Sequence, residues 1–588
     1  MQTPGSIIDI VTARAAEDSD GLAYGFLESG ERESERLTWG DLDRKSAAIA
    51  ASIGNHVARG ARVLLLFPPG LDFVSAFFGC LRAGAIALPA YPTSGQARRR
   101  DGMTDRTVAR LRGMIPDSGA SLVVSDASLF ERREAICDLI PELRHILWIT
   151  TAAVDLESRP RRNLPRLSGS DVALLQYTSG STSSPRGVVI THGNLLHNLT
   201  CGARLGACDR DSIGVSWLPV NHDMGLIGGV LQPAFSGFPV WLMAPAAFLQ
   251  RPSRWVQAIS RLRATHSAGP NFAYALCARR TTESDRRALD LSTWRVAYNG
   301  SEPVRRGTLE DFQRAFGECG FRWEAFTPAY GLAESTLLVC GSHDVDGPRT
   351  IEVDRESLGH GHVVSSTVPV SRVALMSSGA AADGMRIAIV DPVRRRRCAP
   401  HEIGEIWVAG ESVASGYWKR PEETAATFRA FLDDPFEGPF LRTGDLGFLD
   451  RGSLVVTGRL KDVLIVRGLK HYPQDLELTA EHANAAVRPG CCAAFSIPID
   501  LDGEEGIALI AEIDGAPSHE QILDDIRKAI ADVHDVRLCA AALVAPGTLS
   551  RTTSGKLQRF RCRQAFLSGE MEVLAVWTAP PLELKRAS

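Results

Sequence analysis

Residues 177–192 read YTSGSTSSPRGVVITH, a stretch that concentrates glycine and hydroxyl side chains. Gly180 and Gly187 permit the close backbone approach that a bound ligand needs. Backbone N–H groups together with hydroxyls form a concavity that binds anions without a formal charge. The spacing does not match the P-loop pattern GxxxxGK followed by Ser or Thr, so a P-loop NTPase is not indicated. The stretch predicts a phosphate-binding loop, and a Ser/Gly surface turn is the alternative for the loop taken alone.

This loop must be positioned by the elements around it. Short apolar runs predict buried strands at 62–67, 121–125, 145–149 and 172–177. Helical patterns lie between them, for example from Asp41 to Ile53 with Thr38 as the N-cap. This alternation predicts an α/β fold with layered, largely parallel sheets. In such folds, a loop that directly follows a strand is a usual place for a phosphate.

The periodicity changes twice along the chain. Residues 345–372 are rich in Gly, Ser, His and charge, so we expect an insertion or long loop rather than core. After about residue 458, short strands and a helix from about Ser518 to Val533 predict a compact α+β tail. We therefore predict an N-terminal domain over 1–457 and a C-terminal domain over 462–588.

Composition excludes several classes of protein. The 588 residues carry 65 Lys and Arg against 69 Asp and Glu, which gives no support for nucleic acid as a partner. No apolar run approaches the roughly 18 residues of a membrane span, so we expect no transmembrane segment. The 12 cysteines form no CxxC pair and no Cys/His cluster with zinc spacing. Free thiols and the lack of a signal-peptide pattern predict a cytoplasmic location.

The opening loop resembles the signature of the adenylate-forming enzymes, which include acyl-CoA synthetases, luciferases and peptide-synthetase adenylation domains. The usual loop of that superfamily is YTSGSTGxPKGV, and here Ser183 replaces its second glycine and Arg186 its lysine. Other motifs of the superfamily follow in its order: YNGSEPV (298–304), AYGLAES (329–335), FLRTGDLGFL (440–449), GRLKDVLIVRG (458–468) and TTSGKLQRF (552–560). The resemblance implies a large AMP-binding domain and a small mobile C-terminal lid, joined by a hinge at 458–461 that contains Lys461.

Four further stretches resemble the fatty acyl-AMP ligase branch: WLPVNHDMGLIGG (217–229), SAGPNFAYALCARR (267–280), AYGLAESTLLV (329–339) and RGLKHYPQDLE (467–477). Members of this branch activate long-chain fatty acids as acyl-adenylates. They pass the acyl group to an acyl carrier protein or to a carrier domain of a polyketide or peptide synthase. The branch carries an extra segment after the AYGLAE motif, where residues 345–372 lie. The resemblance implies ATP and Mg²⁺ as cofactors.

Several nucleotide contacts are implied by the resemblance. The β- and γ-phosphates are assigned to Thr178, Ser179, Gly180, Ser181, Thr182, Arg186 and Gly187. The adenine is assigned to Asn299, Gly300, Ser301, Glu302, Gly331 and the stacking ring of Tyr330. Arg186 keeps the charge of the usual lysine and adds a planar donor fork, so phosphate contact should persist. An exposed loop arginine and a core tyrosine are the alternatives for Arg186 and Tyr330.

Four charged residues complete the implied nucleotide site. Asp445 should accept the ribose hydroxyls, and Arg459 should contact ribose or phosphate. Glu334 matches the carboxylate that binds magnesium. Lys556 matches the lysine that reaches the substrate carboxylate and the α-phosphate. For an isolated Asp or Arg, a surface ion pair would be the usual interpretation, and a lysine in a Ser/Gly loop would otherwise be interpreted as solvated.

The acyl site is implied by the HDMG motif. His222 and Asp223 match its first two positions, and we assign His222 to catalysis with Lys556 and Glu334. Met224, Phe272 and Tyr274 are expected to line an apolar acyl tunnel. Each of these residues could instead belong to the core.

Two other functions remain open from the sequence. An ordinary acyl-CoA synthetase would share the adenylation step and use coenzyme A as acceptor. A non-catalytic binding protein on the same fold is the second alternative, although it would not need Glu334, Asp445, Arg459 and Lys556.

Overall fold

The computed structural model describes residues 4–90, 103–156, 165–178, 185–368, 371–466, 469–498, 505–515, 518–552 and 556–579. The strands in these ranges are β1 (Leu22–Glu28), β2 (Arg32–Thr38), β3 (Arg62–Leu66), β4 (Ile86–Ala90), β5 (Leu122–Ser125), β6 (Leu147–Thr150), β7 (Val172–Thr178), β8 (Arg186–Thr191), β9 (Gly214–Ser216), β10 (Val240–Met243), β11 (His266–Gly269), β12 (Val296–Asn299), β13 (Phe326–Gly331), β14 (Leu338–Gly341), β15 (Thr350–Asp354), β16 (Arg372–Ala381), β17 (Arg386–Val390), β18 (Gly404–Ala409), β19 (Ala430–Asp433), β20 (Phe436–Asp450), β21 (Ser453–Arg459), β22 (Leu464–Val466), β23 (Leu469–His471), β24 (Val487–Pro498), β25 (Glu505–Ile513), β26 (Leu538–Val544) and β27 (Ala575–Thr578).

The α-helices in the same ranges are α1 (Ile7–Glu17), α2 (Trp39–His56), α3 (Leu71–Arg82), α4 (Met103–Ser118), α5 (Ala127–Glu131), α6 (Arg133–Leu139), α7 (His192–Leu205), α8 (Gln232–Ser236), α9 (Pro245–Gln250), α10 (Ser253–Leu262), α11 (Asn271–Arg280), α12 (Glu283–Arg286), α13 (Arg306–Phe316), α14 (Arg355–Gly359), α15 (Pro421–Phe428), α16 (Pro473–Ala483), α17 (His519–His534) and α18 (Arg559–Leu567). A π-helix covers Met224–Leu231, immediately before α8. Among the described residues, no helix combines the length and the apolar character that a membrane span requires.

A sheet of 15 strands forms the centre of the N-terminal part. Its middle consists of parallel neighbours in the order β1, β10, β9, β11, β12 and β13. Antiparallel pairing of β14, β16, β21, β20, β18 and β17 extends it on one side. Because β11, β12 and β13 run in one direction, the segments after their carboxyl ends meet at the same edge of the sheet. This edge positions the candidate site.

A second sheet holds the strand order β6, β5, β3, β4, β7 and β8. Its neighbours are parallel except β7 and β8, which pair antiparallel with Thr178 opposite Arg186. The continuous apolar run of β3 is explained by its burial, since parallel strands are covered on both faces. Thr38 and Asp41 form the expected capping box at the start of α2. The predicted layered α/β fold is confirmed.

The segment after residue 461 contains a four-stranded sheet, β24 to β27, with α16, α17 and α18. Arg559 on α18 donates two hydrogen bonds, 2.6 and 2.7 Å long, to the Glu477 carboxylate on α16. Arg305 of the N-terminal part forms an ion pair of 3.5 Å with the buried carboxylate of Glu481. The C-terminal segment therefore has an internal framework and a charged contact with the large sheet.

The expectation of a long loop over 345–372 is wrong in part. Residues Thr350–Asp354 form β15, which pairs with β16, and α14 follows directly. Val353 and Leu358 are almost fully buried, so this segment contributes to a small hydrophobic cluster. A single strand of five residues gives too short an alternation to stand out from the polar residues around it.

Candidate active site

A cavity of 1550 Å³ lies between the large sheet and the C-terminal segment. Three loops at the carboxyl edge of the sheet contribute to its wall, because Phe272 follows β11, Glu302 follows β12 and Glu334 follows β13. Lys556 and Arg559 line the cavity from the C-terminal side. The site is therefore built by two parts of the chain.

The segment expected to bind the adenine lies mostly on this wall. Gly300, Ser301 and Glu302 line the cavity, whereas Asn299 is fully buried behind them. The Glu302 carboxylate accepts a hydrogen bond of 2.6 Å from the backbone N–H of Phe272. Burial raises the pKa of the Glu302 carboxyl group, whereas this hydrogen bond and nearby cations act to lower it.

Tyr330 and Gly331 also line the cavity. The Tyr330 hydroxyl donates a hydrogen bond of 2.7 Å to Asp445 Oδ2, and Arg459 Nε lies 3.1 Å from the other carboxylate oxygen. This network fixes the ring of Tyr330 and orients Asp445 toward the cavity. At Gly331, an added Cβ would approach the Leu337 carbonyl oxygen within 1.7 Å, so close backbone packing excludes any larger residue.

Glu334 belongs to a second network. Its Oε1 accepts a hydrogen bond of 2.9 Å from the Tyr417 hydroxyl. The Arg186 guanidinium lies over the Tyr417 ring, 5.4 Å from the centroid, and forms an ion pair of 2.8 Å with Glu423. Burial is the main cause that raises the pKa of Glu334. Arg186, Tyr417 and Glu334 therefore form one connected group on the cavity wall.

The loop expected to hold phosphates is described only at its ends. Thr178 and Arg186, which line the cavity, come from the paired ends of β7 and β8. Ser179, Gly180, Ser181 and Thr182 lie outside the described residues. Gly187 packs against the ring of Tyr177, where an added Cβ would approach the ring at 3.0 Å. The two described ends of this segment therefore lie at the cavity.

Lys556 enters the cavity from the short segment before α18. Its backbone N–H donates to Thr552 Oγ1 at 3.0 Å, and its carbonyl accepts from the Thr552 N–H at 2.7 Å. Burial lowers the pKa of the Lys556 ammonium group, while the carboxylates of Asp223, Glu302 and Asp445 act in the opposite direction. A cation is thereby placed among the acidic residues of the opposite wall.

His222 and Asp223 lie where the π-helix begins. His222 Nδ1 is 3.7 Å from Asp223 Oδ1, and Asp223 accepts a hydrogen bond of 2.7 Å from the Met224 N–H. Although burial acts to raise the pKa of Asp223, His222 and Lys556 hold it below its usual value. His222, Asp223 and Met224 all line the cavity.

The two aromatic residues expected in the acyl tunnel differ in position. Phe272 lines the cavity, but Tyr274 is fully buried and is not part of its lining. The Tyr274 hydroxyl donates to the Tyr298 carbonyl at 2.7 Å, and its ring packs against Trp255 and Phe312. Tyr274 is therefore corrected to a core residue, because its spacing on α11 turns it away from Phe272 and toward the sheet.

Lys461 is exposed in the turn after β21 and lies at the rim of the cavity. The backbone N–H groups on either side of it are bonded, Leu460 to the Gly444 carbonyl and Asp462 to the Arg459 carbonyl. Whether the chain uses it as a hinge remains a prediction.

Sequence reasoning did not find Tyr417, Glu423 or Gln232. Tyr417 and Glu423 lie more than 80 residues from Glu334 in sequence, and they meet the site because Val188 and Tyr417 form an antiparallel bridge. The aromatic pair in GYWKRPEE was the available signal, but it is equally typical of core.

Comparison with known proteins supports one family. The profile of the AMP-binding enzyme family matches residues 11–418, and a profile described as Disco-interacting protein 2-like, AMP domain, matches residues 461–576. The medium-chain fatty acid–acyl carrier protein ligase of Moorena producens is 42% identical over 577 residues, which cover 96% of each chain. The long-chain fatty acid–AMP ligase of Mycolicibacterium smegmatis is 35% identical over 609 residues, covering 96% of this chain and 95% of the relative.

A solved structure agrees with these relatives. The fatty acyl-adenylate ligase from Legionella pneumophila, in complex with acyl adenylate and pyrophosphate, is 35% identical and has a TM-score of 0.74. The match covers 97% of this chain and 98% of that chain. The present chain thus belongs to the AMP-binding enzyme family and, within it, to the fatty acyl-AMP ligases.

Proposed function

We propose that this protein activates a fatty acid with ATP and then transfers the acyl group to an acyl carrier protein. In the first step, a carboxylate oxygen of the fatty acid attacks the α-phosphorus of ATP. An O–P bond forms, and the bond to the β,γ-diphosphate breaks, so pyrophosphate leaves. In the second step, the phosphopantetheine thiol of the carrier attacks the acyl carbonyl, the thioester forms and AMP leaves.

The position of Lys556 carries this proposal. It is a cation brought by one part of the chain to a wall that contains Asp223, Glu302 and Asp445 on the other. A substrate carboxylate and an α-phosphate both add negative charge here, and an oriented ammonium group stabilises that charge as it develops. The rest of the wall orients the nucleotide, with Tyr330 for the base, Asp445 for the ribose and Arg459 beside them.

Arg186 is proposed to contact the outer phosphates together with Thr178 and the loop after it. Its guanidinium is already on the cavity wall, so it needs only to exchange Glu423 for a phosphate. Glu334 fits a magnesium ion, because a carboxylate oxygen is a hard ligand and Mg²⁺ takes its other ligands from phosphates and water. When bound, the ion would neutralise phosphate charge. His222, beside Asp223, is proposed to position the fatty acid carboxylate.

We further propose that residues 458–461 are a hinge between the domains 1–457 and 462–588. Such a rotation would withdraw Lys556 after the first step and admit the carrier thiol. Two observations support the boundary. The second family profile begins at residue 461, whereas the first ends at residue 418, and two clusters of buried residues in the tail contain only residues after the boundary. A cytoplasmic location suits the 12 cysteines, each of which is a free thiol.

The acceptor distinguishes this function from that of an acyl-CoA synthetase. Purified protein is incubated with ATP, magnesium and radiolabelled fatty acids of graded length, followed by either coenzyme A or a holo acyl carrier protein. We expect pyrophosphate release with fatty acids and label transfer to the carrier. If acyl-CoA forms efficiently, the acyl acceptor is coenzyme A and not a carrier protein. The absence of pyrophosphate release with every acid would contradict an enzymatic role.

A further inference from the structure

The π-helix and the start of α8 contribute one stripe of residues to the cavity wall. Met224, Gly228 and Gln232 follow one another at intervals of four residues, and all three line the cavity. Met224 and Gly228 belong to the π-helix, and Gln232 is the first residue of α8, which continues it. Leu337 lies opposite, 3.6 Å from the position that a Cβ on Gly228 would take. The stripe starts next to Asp223 in sequence, and Gly228, which has no side chain, leaves space at its middle.

Gln232 is the polar residue at the far end of this stripe. Its amide nitrogen donates a hydrogen bond of 3.0 Å to Ser236 Oγ. Within the described part of the chain, no donor reaches its Oε1, which lies against Gly202 of α7. An added Cβ on Gly202 would approach this oxygen within 2.4 Å, so the glycine leaves room for the amide in its present position.

Tyr298 adds a second polar group at this end. It lines the cavity from β12, and its hydroxyl lies 3.5 Å from the Gly202 carbonyl oxygen. Three elements, α7, α8 and β12, therefore converge on a part of the cavity wall that contains an amide and a phenol. A tunnel built only for an alkyl chain would be expected to end in apolar side chains.

The chemistry of this end has a consequence for the substrate. A methyl group placed against Gln232 displaces water from an amide oxygen that has no protein donor, which costs free energy. A terminal hydroxyl group instead donates to that oxygen. Because a hydroxyl group can also accept a hydrogen bond, it can pair with the amide whether the oxygen or the nitrogen of the amide faces it.

We propose that the acyl tunnel ends at Gln232 and accepts an acyl chain with a hydroxyl group at its far end, held by the Gln232 amide. This inference rests on the proposed function, since it concerns the fatty acid that the same site activates. The binding step involves no covalent change. Gln232 is a specificity residue, and its role is to stabilise the polar end of the bound chain.

The test uses matched pairs of acids, each an n-alkanoate and its ω-hydroxy counterpart, from eight to sixteen carbons. Pyrophosphate release gives kcat/KM for both members of each pair, and calorimetry gives their Kd for the full-length protein. At the best chain length, we expect the ω-hydroxy acid to be used at least as well as the alkanoate. In Gln232→Leu, the ratio should move about tenfold toward the alkanoate, in both kcat/KM and Kd.

Gln232→Met is the second variant, because an unbranched side chain of similar length preserves packing if leucine disturbs α8. Gln257→Leu on the distant helix α10 is the matched control, and its ratio should equal that of the wild type. A ratio within twofold of wild type in both Gln232 variants would overturn the inference, as would strong rejection of every ω-hydroxy acid by the wild type.

The binding measurement separates this inference from the proposed function. Pyrophosphate release with an unchanged ratio would overturn only the role of Gln232. Binding with the expected shift, but without pyrophosphate release, would support Gln232 and contradict the proposed function. If no acid of either kind binds or is turned over, both are overturned.

Discussion

The two sides of the cavity hold their charged groups in different ways. On the N-terminal side, Asp445 is bonded to Tyr330 and Arg459, and Glu334 is bonded to Tyr417. On the C-terminal side, Lys556 lies in a short segment before α18. Its backbone N–H and carbonyl groups form hydrogen bonds with Thr552. The N-terminal groups therefore contribute to the fold as well as to the proposed binding site, and in the proposed hinge motion the lysine would withdraw while these contacts stay in place. Substitutions on the two sides should separate activity from stability.

Lys556→Ala should have the largest effect on activity and almost none on stability. We expect ATP–pyrophosphate exchange to fall by about 10²-fold or more, the scale of losing one transition-state donor. The melting temperature should stay within about 2 °C of wild type, since the lysine pays a burial cost of its own. Lys528→Ala, an exposed lysine on α17, is the control and should keep full exchange. Normal exchange in the Lys556 variant would refute its assignment.

Asp445→Asn should lower both the activity and the stability of the protein. We expect exchange to fall by about 10- to 100-fold, because a neutral amide holds the ribose and Arg459 less strongly than a carboxylate. The free energy of unfolding should fall by on the order of 1 kcal/mol, measured by urea denaturation. If exchange falls but the free energy of unfolding does not, then Asp445 does not contribute to the fold, and the contrast between the N-terminal and C-terminal sides of the cavity is contradicted.

Lys461→Pro should separate the two half-reactions. Proline fixes φ and so restricts rotation at the proposed hinge. We expect transfer to the carrier protein to fall by about tenfold, and adenylation to fall less than threefold, measured by single-turnover assays of each step. Lys461→Ala is the control, since it removes the charge but keeps the backbone free. Equal losses in both half-reactions would argue against a hinge here.

His534→Gln should give the smallest change, seen only in stability at low pH. Burial, with Arg355 and His471 nearby, lowers the pKa of His534 to about 3, and its Nε2 lies 2.7 Å from Thr479 Oγ1. Between about pH 3 and the usual value near 6.5, the unfolded chain binds more protons than the folded chain, so stability falls as the pH falls.

The effect of His534 should be on the order of 1 kcal/mol at pH 5. The difference in melting temperature between pH 7.5 and pH 5 should therefore be smaller in His534→Gln than in wild type, measured by differential scanning fluorimetry. His56→Gln removes an exposed histidine and is the control. An unchanged pH dependence in the His534 variant would contradict this linkage.

Much of the fold could be predicted from the sequence because its signals are local. The apolar runs of β3, β5 and β7 and the Thr38 cap of α2 appear within a few residues where they were expected. The strand within residues 345–372 was harder to predict, because a short strand such as β15 gains its stability from pairing with β16. A local pattern does not record that pairing.

The sequence by itself determined which charged residues the chain carries in family order, including Glu334, Asp445, Arg459 and Lys556. Only the tertiary structure decided which of them meet, that Tyr417 joins Glu334, that Tyr274 belongs to the core and that Gln232 lines the cavity. The physical reason is that motifs and caps depend on neighbours in sequence. The wall of a cavity depends instead on side chains that are brought together by sheet pairing and packing over hundreds of residues.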